Sequence, residues 1–277
     1  MLERGEAALA GEAAETSLAM GGAWQGRGLP AVAGSDTPKK PVLMIVHQDS
    51  SNPGHVGHWF RRAGYRLDIR RPYAAQPLPT TLEHHCGAVI FGGPQSANDR
   101  HAYIRREIDW IGVALKEEKP FFGVCLGAQM LAQHLGVRVD HCRNGHVEIG
   151  YHKLSPTREG AALGGFPEYV YQWHREGFEL PRGGVLLATS DGAYPNQAFR
   201  YGRAAFGVQF HPEITYTQIN SWSGGNPMRL LMRGARPRQQ HIDHHVMHAA
   251  RVHVWLEGFL GGLMGASAEF GREFAKS

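Results

Sequence analysis

Cysteine is scarce in this chain of 277 residues. Its three thiols, Cys86, Cys125 and Cys142, cannot pair completely and lack the CxxC spacing of a zinc ribbon. Neither a disulfide framework nor a cysteine-based metal site is expected. Few and scattered thiols point to a reducing compartment, so the expected location is cytoplasmic. Long hydrophobic runs are missing too. No stretch reaches the roughly 18 to 20 apolar residues that a membrane-spanning helix needs, so no membrane association is expected. The first residues carry Glu3, Glu6, Glu12 and Glu15 where a signal peptide would place its apolar core, which argues against secretion. Neither sign of charge dominates: 29 basic residues face 25 acidic ones, with no Lys/Arg block, so no nucleic-acid partner is expected.

What is present reads as a globular domain, since 42% of residues are hydrophobic and only 19% charged. Residues 1–40 are rich in Ala, Gly and Glu and read as a flexible extension, with a short surface helix over Glu3 to Leu9 as the alternative. From residue 41 to about 265 the pattern is that of a single folded domain, followed by a tail over 266–277. Val42 to Val46 is a continuous β-prone run, as a strand buried on both faces should be. Helix is expected from Gly54 to Ala63 with Gly64 as its stop, and strand from Tyr65 to Ile69. Ala88 to Phe91 reads as a strand running into Gly92-Gly93-Pro94. Ile104, Ile108, Ile111 and Leu115 have helical spacing over 104–116. Pro120 to Val124 is a further buried strand, followed by a helix from Leu126 to Leu135 and a stop at Gly136. This alternation predicts an α/β fold with a mostly parallel sheet and helices on both faces. Between Arg138 and Gln209 shorter pieces, such as Glu148 to Leu154 and Val185 to Thr189, predict antiparallel hairpins at one end of that sheet. From Thr215 onward the chain reads as helical, most strongly over Val246 to Leu260.

Gly123-Val124-Cys125-Leu126-Gly127 follows a buried strand and opens a helix. That is the pattern of a nucleophile elbow, with Cys in the nucleophile's position. Glycine is needed two residues to either side because side chains there would collide in so sharp a turn. The helix N-terminus favours a thiolate at Cys125, and the N–H of Leu126 points above the sulfur as half of an oxyanion hole. The other reading is an inert buried cysteine in a tight turn. A base would come from the strand Phe206 to Phe210, which runs into His211-Pro212-Glu213. In an extended chain Glu213 would face the same way as His211 and orient its imidazole.

Gly123 to Gln129, taken with Gln209 to Glu213, resembles the class I, triad-type glutamine amidotransferases. Gly92-Gly93-Pro94-Gln95-Ser96 resembles their glycine loop. The resemblance covers roughly residues 42–235 and is nearest to the amidotransferase domain of GMP synthase and its free-standing relatives. It implies a flavodoxin-like fold and cofactor-free hydrolysis of the glutamine side-chain amide. Cys125 would form a γ-glutamyl thioester, His211 would act as base and then acid, and Glu213 would orient it. Gly93 and Leu126 would supply the oxyanion-hole N–H groups. Gly92, Gln129, Trp173, His174 and Glu176 would seat the substrate; Trp173-His174-Arg175-Glu176 resembles the Ser-His-x-Asp segment of the family. Core packing is the other reading of Trp173. The resemblance implies glutamine or a γ-glutamyl compound as substrate and a separate synthase as ammonia acceptor, since no synthase domain follows in this sequence. A γ-glutamyl peptidase with the same triad is one alternative, and a non-catalytic binding protein of the same fold is the other.

His241, His244, His245 and His248 fall at helical spacing and read as a solvated helix face rather than a metal site. Gly224-Gly225-Asn226-Pro227 reads as a plain loop, because it lacks the Lys and Ser/Thr of a phosphate-binding loop.

Overall fold

The computed structural model describes residues 38–265; the expectations for the first 37 residues and for the tail after 265 lie outside them. Five strands form the parallel part of the main sheet: β1 (Val42–Ile45), β2 (Leu67–Arg70), β3 (Gly87–Ile90), β4 (Phe121–Val124) and, much later in the chain, β12 (Ala205–Val208). Their order across the sheet is β2-β1-β3-β4-β12, the doubly wound arrangement of flavodoxin-like folds. Every residue of β1, β3, β4 and β12 is buried, as their unbroken apolar runs require. β2, an edge strand, is only half-buried and starts two residues later than the sequence reading placed it.

Successive side chains of a strand face opposite ways, and the core divides accordingly. On one face Val42 and Met44 pack with Val56 and Phe60 of α1 (Gly54–Arg62) and with Leu256, Leu260 and Leu263 of α6 (Arg238–Gly265). On the other, Leu43 and Ile45 pack with Ile104, Ile108 and Ile111 of α2 (Ala102–Lys116) and with Met130 and Leu131 of α3 (Leu126–His134). Gly64 and Gly136, the expected stops of α1 and α3, have φ of +83° and +88°.

The antiparallel region divides into three parts rather than one set of hairpins. The strands β10 (Gly184–Thr189) and β11 (Asn196–Tyr201) extend the main sheet beyond β12, with β7 (Ser155–Pro156) outermost. Two separate ribbons pair β5 (Val139–His141) with β9 (Glu176–Phe178), and β6 (Glu148–Lys153) with β8 (Tyr169–His174). A short helix α4 (Arg158–Ala162) leans on β10, and α5 (Tyr216–Gly225) follows the main sheet with a Thr215–Gln218 capping box at its start.

The 28-residue α6 corrects the expectation of a solvated histidine face. Its first turns pack over the β6–β8 ribbon, where Tyr151 and Tyr171 are buried and their hydroxyls need partners. His241 is fully buried; Nε2 donates to the Arg236 carbonyl at 2.9 Å, leaving Nδ1 to accept from the Tyr171 hydroxyl at 3.0 Å. His245 Nδ1 lies 2.8 Å from the Tyr151 hydroxyl. Further along, Trp255 and Phe259 pack against the core while Val246 and Val254 stand exposed. Among the described residues no helix is long and apolar enough to cross a membrane.

Candidate active site

Three neighbouring strands end at the same level of the sheet. Ile90 of β3 pairs with Gly123 of β4, and Val208 of β12 with Val124. The residues that follow each strand therefore emerge side by side at the carboxyl edge, where open α/β sheets hold ligands. After β3 comes Gly92-Gly93, after β4 Cys125, and after β12 His211.

Cys125 sits at φ 50°, ψ −105°, a conformation that L residues adopt only under strain. The turn is held by its own N–H, which donates to the Val208 carbonyl at 2.8 Å. The flanking glycines answer to close backbone approaches. A Cβ on Gly123 would lie 2.6 Å from the Gly127 backbone, and one on Gly127 only 2.1 Å from the Ile90 carbonyl oxygen. Leu126 opens α3, so its N–H has no acceptor within the helix.

Gly92 lies against both the imidazole and the elbow cysteine. A Cβ there would come within 2.7 Å of His211 Cε1 and 3.4 Å of Cys125 Cβ. His211 is buried; its Nδ1 is 2.8 Å from Glu213 Oε1, and the Trp222 ring packs edge-on against it at 4.9 Å. Its Nε2 has no nitrogen or oxygen partner and interacts with the Cys125 thiol. Burial by itself would lower the His211 pKa, but the Glu213 carboxylate and Cys125 outweigh it and raise it to about 10. The pairing of His211 with Glu213 is not strand alternation. β12 ends at Val208, and residues 211–213 bend into a turn that brings the carboxylate back to the ring. Glu213 is anchored from outside by α1: its carbonyl accepts from the His55 N–H at 2.9 Å, and Gly54 (φ +53°) approaches so closely that no side chain fits there.

These groups line a cavity of about 320 Å³. Gly92, Gly93, Cys125, Trp173, His211 and Glu213 are in its wall. Trp173 is half-buried and stacks on Tyr171 at 6.3 Å, so it belongs to the wall and to the core behind it. Gln129, His174 and Glu176, expected to seat a substrate, have their side chains behind the wall instead. Gln129 Nε2 donates to the Glu176 carbonyl at 2.8 Å. His174 lies between the Glu176 carbonyl (2.9 Å) and Glu148 Oε2 (3.2 Å). Burial would raise the Glu148 pKa, yet His174 holds it below the ordinary carboxylate value. Glu176 Oε1 accepts from Ser96 Oγ at 2.8 Å and so ties the end of the glycine loop to β9. The β6–β8 register sets Glu148 opposite His174, which commits the histidine to that buried carboxylate.

The sequence reading missed Arg229, Asn226, Gln218 and Asn52, which also stand in the wall. Arg229 stands in a short 3-10 turn after the Gly224-Gly225-Asn226-Pro227 stretch that read as a plain loop. Its pKa is lowered, first by burial and then by Arg175, while Cys125 acts the other way. Arg229 is thus a half-buried cation within electrostatic reach of the elbow. The signal available was a lone Arg beside a Gly-Gly turn, too common to stand out. Among the described residues no group of three or more His, Cys, Asp or Glu is placed to hold a metal ion.

The fold, the strained cysteine turn and the glycine loop define a class, and the chain belongs to it: the class-I glutamine amidotransferase family, whose model matches residues 48–221. Among particular relatives, the chain is similar to YfeJ of Salmonella typhimurium, a glutamine amidotransferase-like protein, at 32% identity over 64% of this chain and 77% of that one. It is 33% identical to a GMP synthase of Porphyromonas gingivalis, covering 56% of this chain but only 30% of the synthase. Of the solved structures, the glutamine amidotransferase of Methylobacillus flagellatus superposes with a TM-score of 0.77 at 26% identity, over 82% of this chain and 95% of its own. That of Thermotoga maritima gives 0.73 at 28% identity, over 81% and 97%.

Proposed function

We propose that this chain hydrolyses the side-chain amide of glutamine through Cys125 and releases ammonia for a separate acceptor enzyme. The observation that carries this reading is the juxtaposition at Gly92, which only a hydrogen atom separates from the imidazole of His211 beside the strained Cys125.

In this mechanism His211 Nε2 has drawn the thiol proton, as its raised pKa favours, before the sulfur forms a bond to the amide carbon of the substrate. The carbonyl electron pair moves onto oxygen, which the N–H groups of Gly93 and Leu126 receive. Such a donor contributes about 2.7–4 kcal/mol in comparable sites. When the tetrahedral species collapses, the C–N bond breaks and the leaving amine takes the proton from His211. A water molecule then adds to the γ-glutamyl thioester with His211 again as base, and glutamate leaves as the S–C bond breaks. Glu213 holds the ring in one orientation throughout. Arg229 faces the carboxylate of the substrate, and a cavity of this size, at the small end of ligand sites, suits an amino acid. No step calls for a cofactor. The chain is also 30% identical, over 52% of its length, to one of the subunits of the glutamine-hydrolysing GMP synthase of Sulfurisphaera tokodaii, which supports a synthase partner for the ammonia. Chemistry at a free thiol fits a reducing, cytoplasmic setting.

The test is ammonia release from glutamine set against cleavage of γ-glutamyl dipeptides, with Cys125→Ala as blank. Glutamine is expected to be the better substrate. A kcat/KM at least about tenfold higher for the dipeptides, about 1.4 kcal/mol of transition-state preference, would replace this reading with a γ-glutamyl peptidase.

A further inference from the structure

Glu107 occupies a place where a carboxyl group is costly. It lies on the buried stripe of α2, in helical register with Ile104, Ile108 and Ile111, and is fully buried. Its partner is His47, equally buried, whose Nε2 stands 2.8 Å from Glu107 Oε2. Neither side chain lines the cavity. We propose that His47 and Glu107 are a positioning pair that aims the Gly93 N–H at the reaction centre beside Cys125.

The aiming follows from sheet register and peptide geometry. His47 comes two residues after Ile45 of β1, which pairs with Ile90 of β3, so His47 emerges beside Gly92. Its Nδ1 is 3.3 Å from the Gly92 carbonyl oxygen. A carbonyl can only accept, so Nδ1 carries the proton and donates to it. Nε2 meets the Glu107 carboxyl at 2.8 Å, so both ring nitrogens are engaged and the ring is fixed in one orientation. In a trans peptide the C=O of one residue and the N–H of the next point in opposite directions. Holding the Gly92 carbonyl toward β1 therefore turns the Gly93 N–H the other way, toward Cys125.

Such a tether is needed because Gly92-Gly93 is the least constrained dipeptide a chain can offer. Other contacts fix the loop's position but leave that peptide free to rotate. A Cβ on Gly93 would lie 2.6 Å from His47 Cβ, so the loop rests against this residue. Gln95 Nε2 donates to the His47 carbonyl at 3.0 Å, and Ser96 is held by Glu176. Among the described residues, only the His47 ring grips the peptide plane itself.

This inference rests on Gly93 being an oxyanion donor, as in the proposed function. The test uses the full chain with Glu107→Gln and the double variant His47→Phe/Glu107→Leu, which removes both side-chain partners together, so that neither is left buried without the other, and releases the Gly92 carbonyl. Four quantities are measured: kcat and KM for glutamine, the rate of Cys125 alkylation by iodoacetamide, and the Gly92–Gly93 peptide orientation in crystals. Alkylation needs the nucleophile but no oxyanion hole. The double variant is expected to lose about 10- to 100-fold in kcat, as a misaimed donor should. Its KM should stay within about twofold and its alkylation rate should be unchanged. Glu107→Gln should lose no more than a few-fold, because its amide can donate to Nε2 and leave the Nδ1 proton on the Gly92 carbonyl. Unchanged kcat in the double variant, an equal loss in both variants, or alkylation falling in step with kcat would each overturn the proposal. If the wild-type protein shows no Cys125-dependent hydrolysis, the functional reading fails by itself. The crystals then decide: a Gly92 carbonyl turned away in the double variant supports the tether, and an unmoved peptide refutes it.

Discussion

His211 Nδ1 and Glu213 Oε1 meet at 2.8 Å across a turn of only two residues, with both side chains buried. Burial works against a charged ring there, and the carboxylate together with Cys125 reverses that effect, raising the His211 pKa to about 10. A group whose pKa is raised on folding contributes stability that is complete below its unfolded value and disappears as pH rises through the folded one. The window here runs from about 6.5, the ordinary histidine value, to about 10. Glu213→Gln removes the strongest raising influence. The stability advantage of the wild type over this variant is expected to shrink as pH climbs from 7 toward 10, measured as the difference in Tm. A difference that stays constant across that range would show that Glu213 does not hold the ring's proton.

The three thiols should separate cleanly. Cys125→Ala is expected to abolish glutamine hydrolysis and keep the fold, since the elbow accepts a smaller side chain. Burial pushes the Cys86 thiol up to about 11, and Cys142 lies half-buried beside Asn144, so neither Cys86→Ala nor Cys142→Ala should change the rate appreciably. Retention of more than a few per cent of activity in Cys125→Ala would remove it as nucleophile.

Gln218 joins stability to the site. It closes the capping box with Thr215, its Nε2 donates to the Asn52 carbonyl at 3.1 Å, and it lines the cavity. Thr215→Val keeps the side-chain shape but loses the cap, which should cost about 0.5–2 kcal/mol in denaturant unfolding. Because α5 also carries Trp222 against His211, KM for glutamine is expected to rise with it. A stability loss with unchanged KM would mean that the cap serves the helix alone.

The elbow was legible because its constraints are local. A strand, two glycines and a thiol at fixed spacing leave few other structures, and Gly123 and Gly127 meet backbone as that spacing demands. The buried parallel strands were legible for the same reason, since unbroken apolar runs mark burial on both faces. The back of the site was not legible, because side-chain direction there depends on pairing between distant segments. His174 turns to Glu148 through the β6–β8 register, and Glu176 turns to Ser96, 80 residues away in sequence. The histidines of α6 looked solvated while the tyrosines they serve lay on β6 and β8. Glu107 was hidden by the helical spacing of its isoleucine neighbours, which reads as plain core.

Arg229 offers the clearest test of what the cavity reads in its substrate. It is half-buried, and burial together with Arg175 lowers its pKa, so the cation there lacks a full hydration shell and gains from an anionic partner. A substrate carboxylate would be that partner. A charge-assisted hydrogen bond of this kind contributes about 1.5–3 kcal/mol, which corresponds to roughly 10- to 150-fold in binding. Arg229→Gln should therefore raise KM for glutamine by at least about tenfold and leave kcat within about threefold, because the reacting amide lies at the other end of the molecule. Glutamine α-amide, which lacks the carboxylate, supplies the second arm of the cycle. The wild type should favour glutamine over this analogue, and Arg229→Gln should treat the two nearly alike. If the substitution weakens both substrates equally, Arg229 shapes the wall and the carboxylate is read elsewhere.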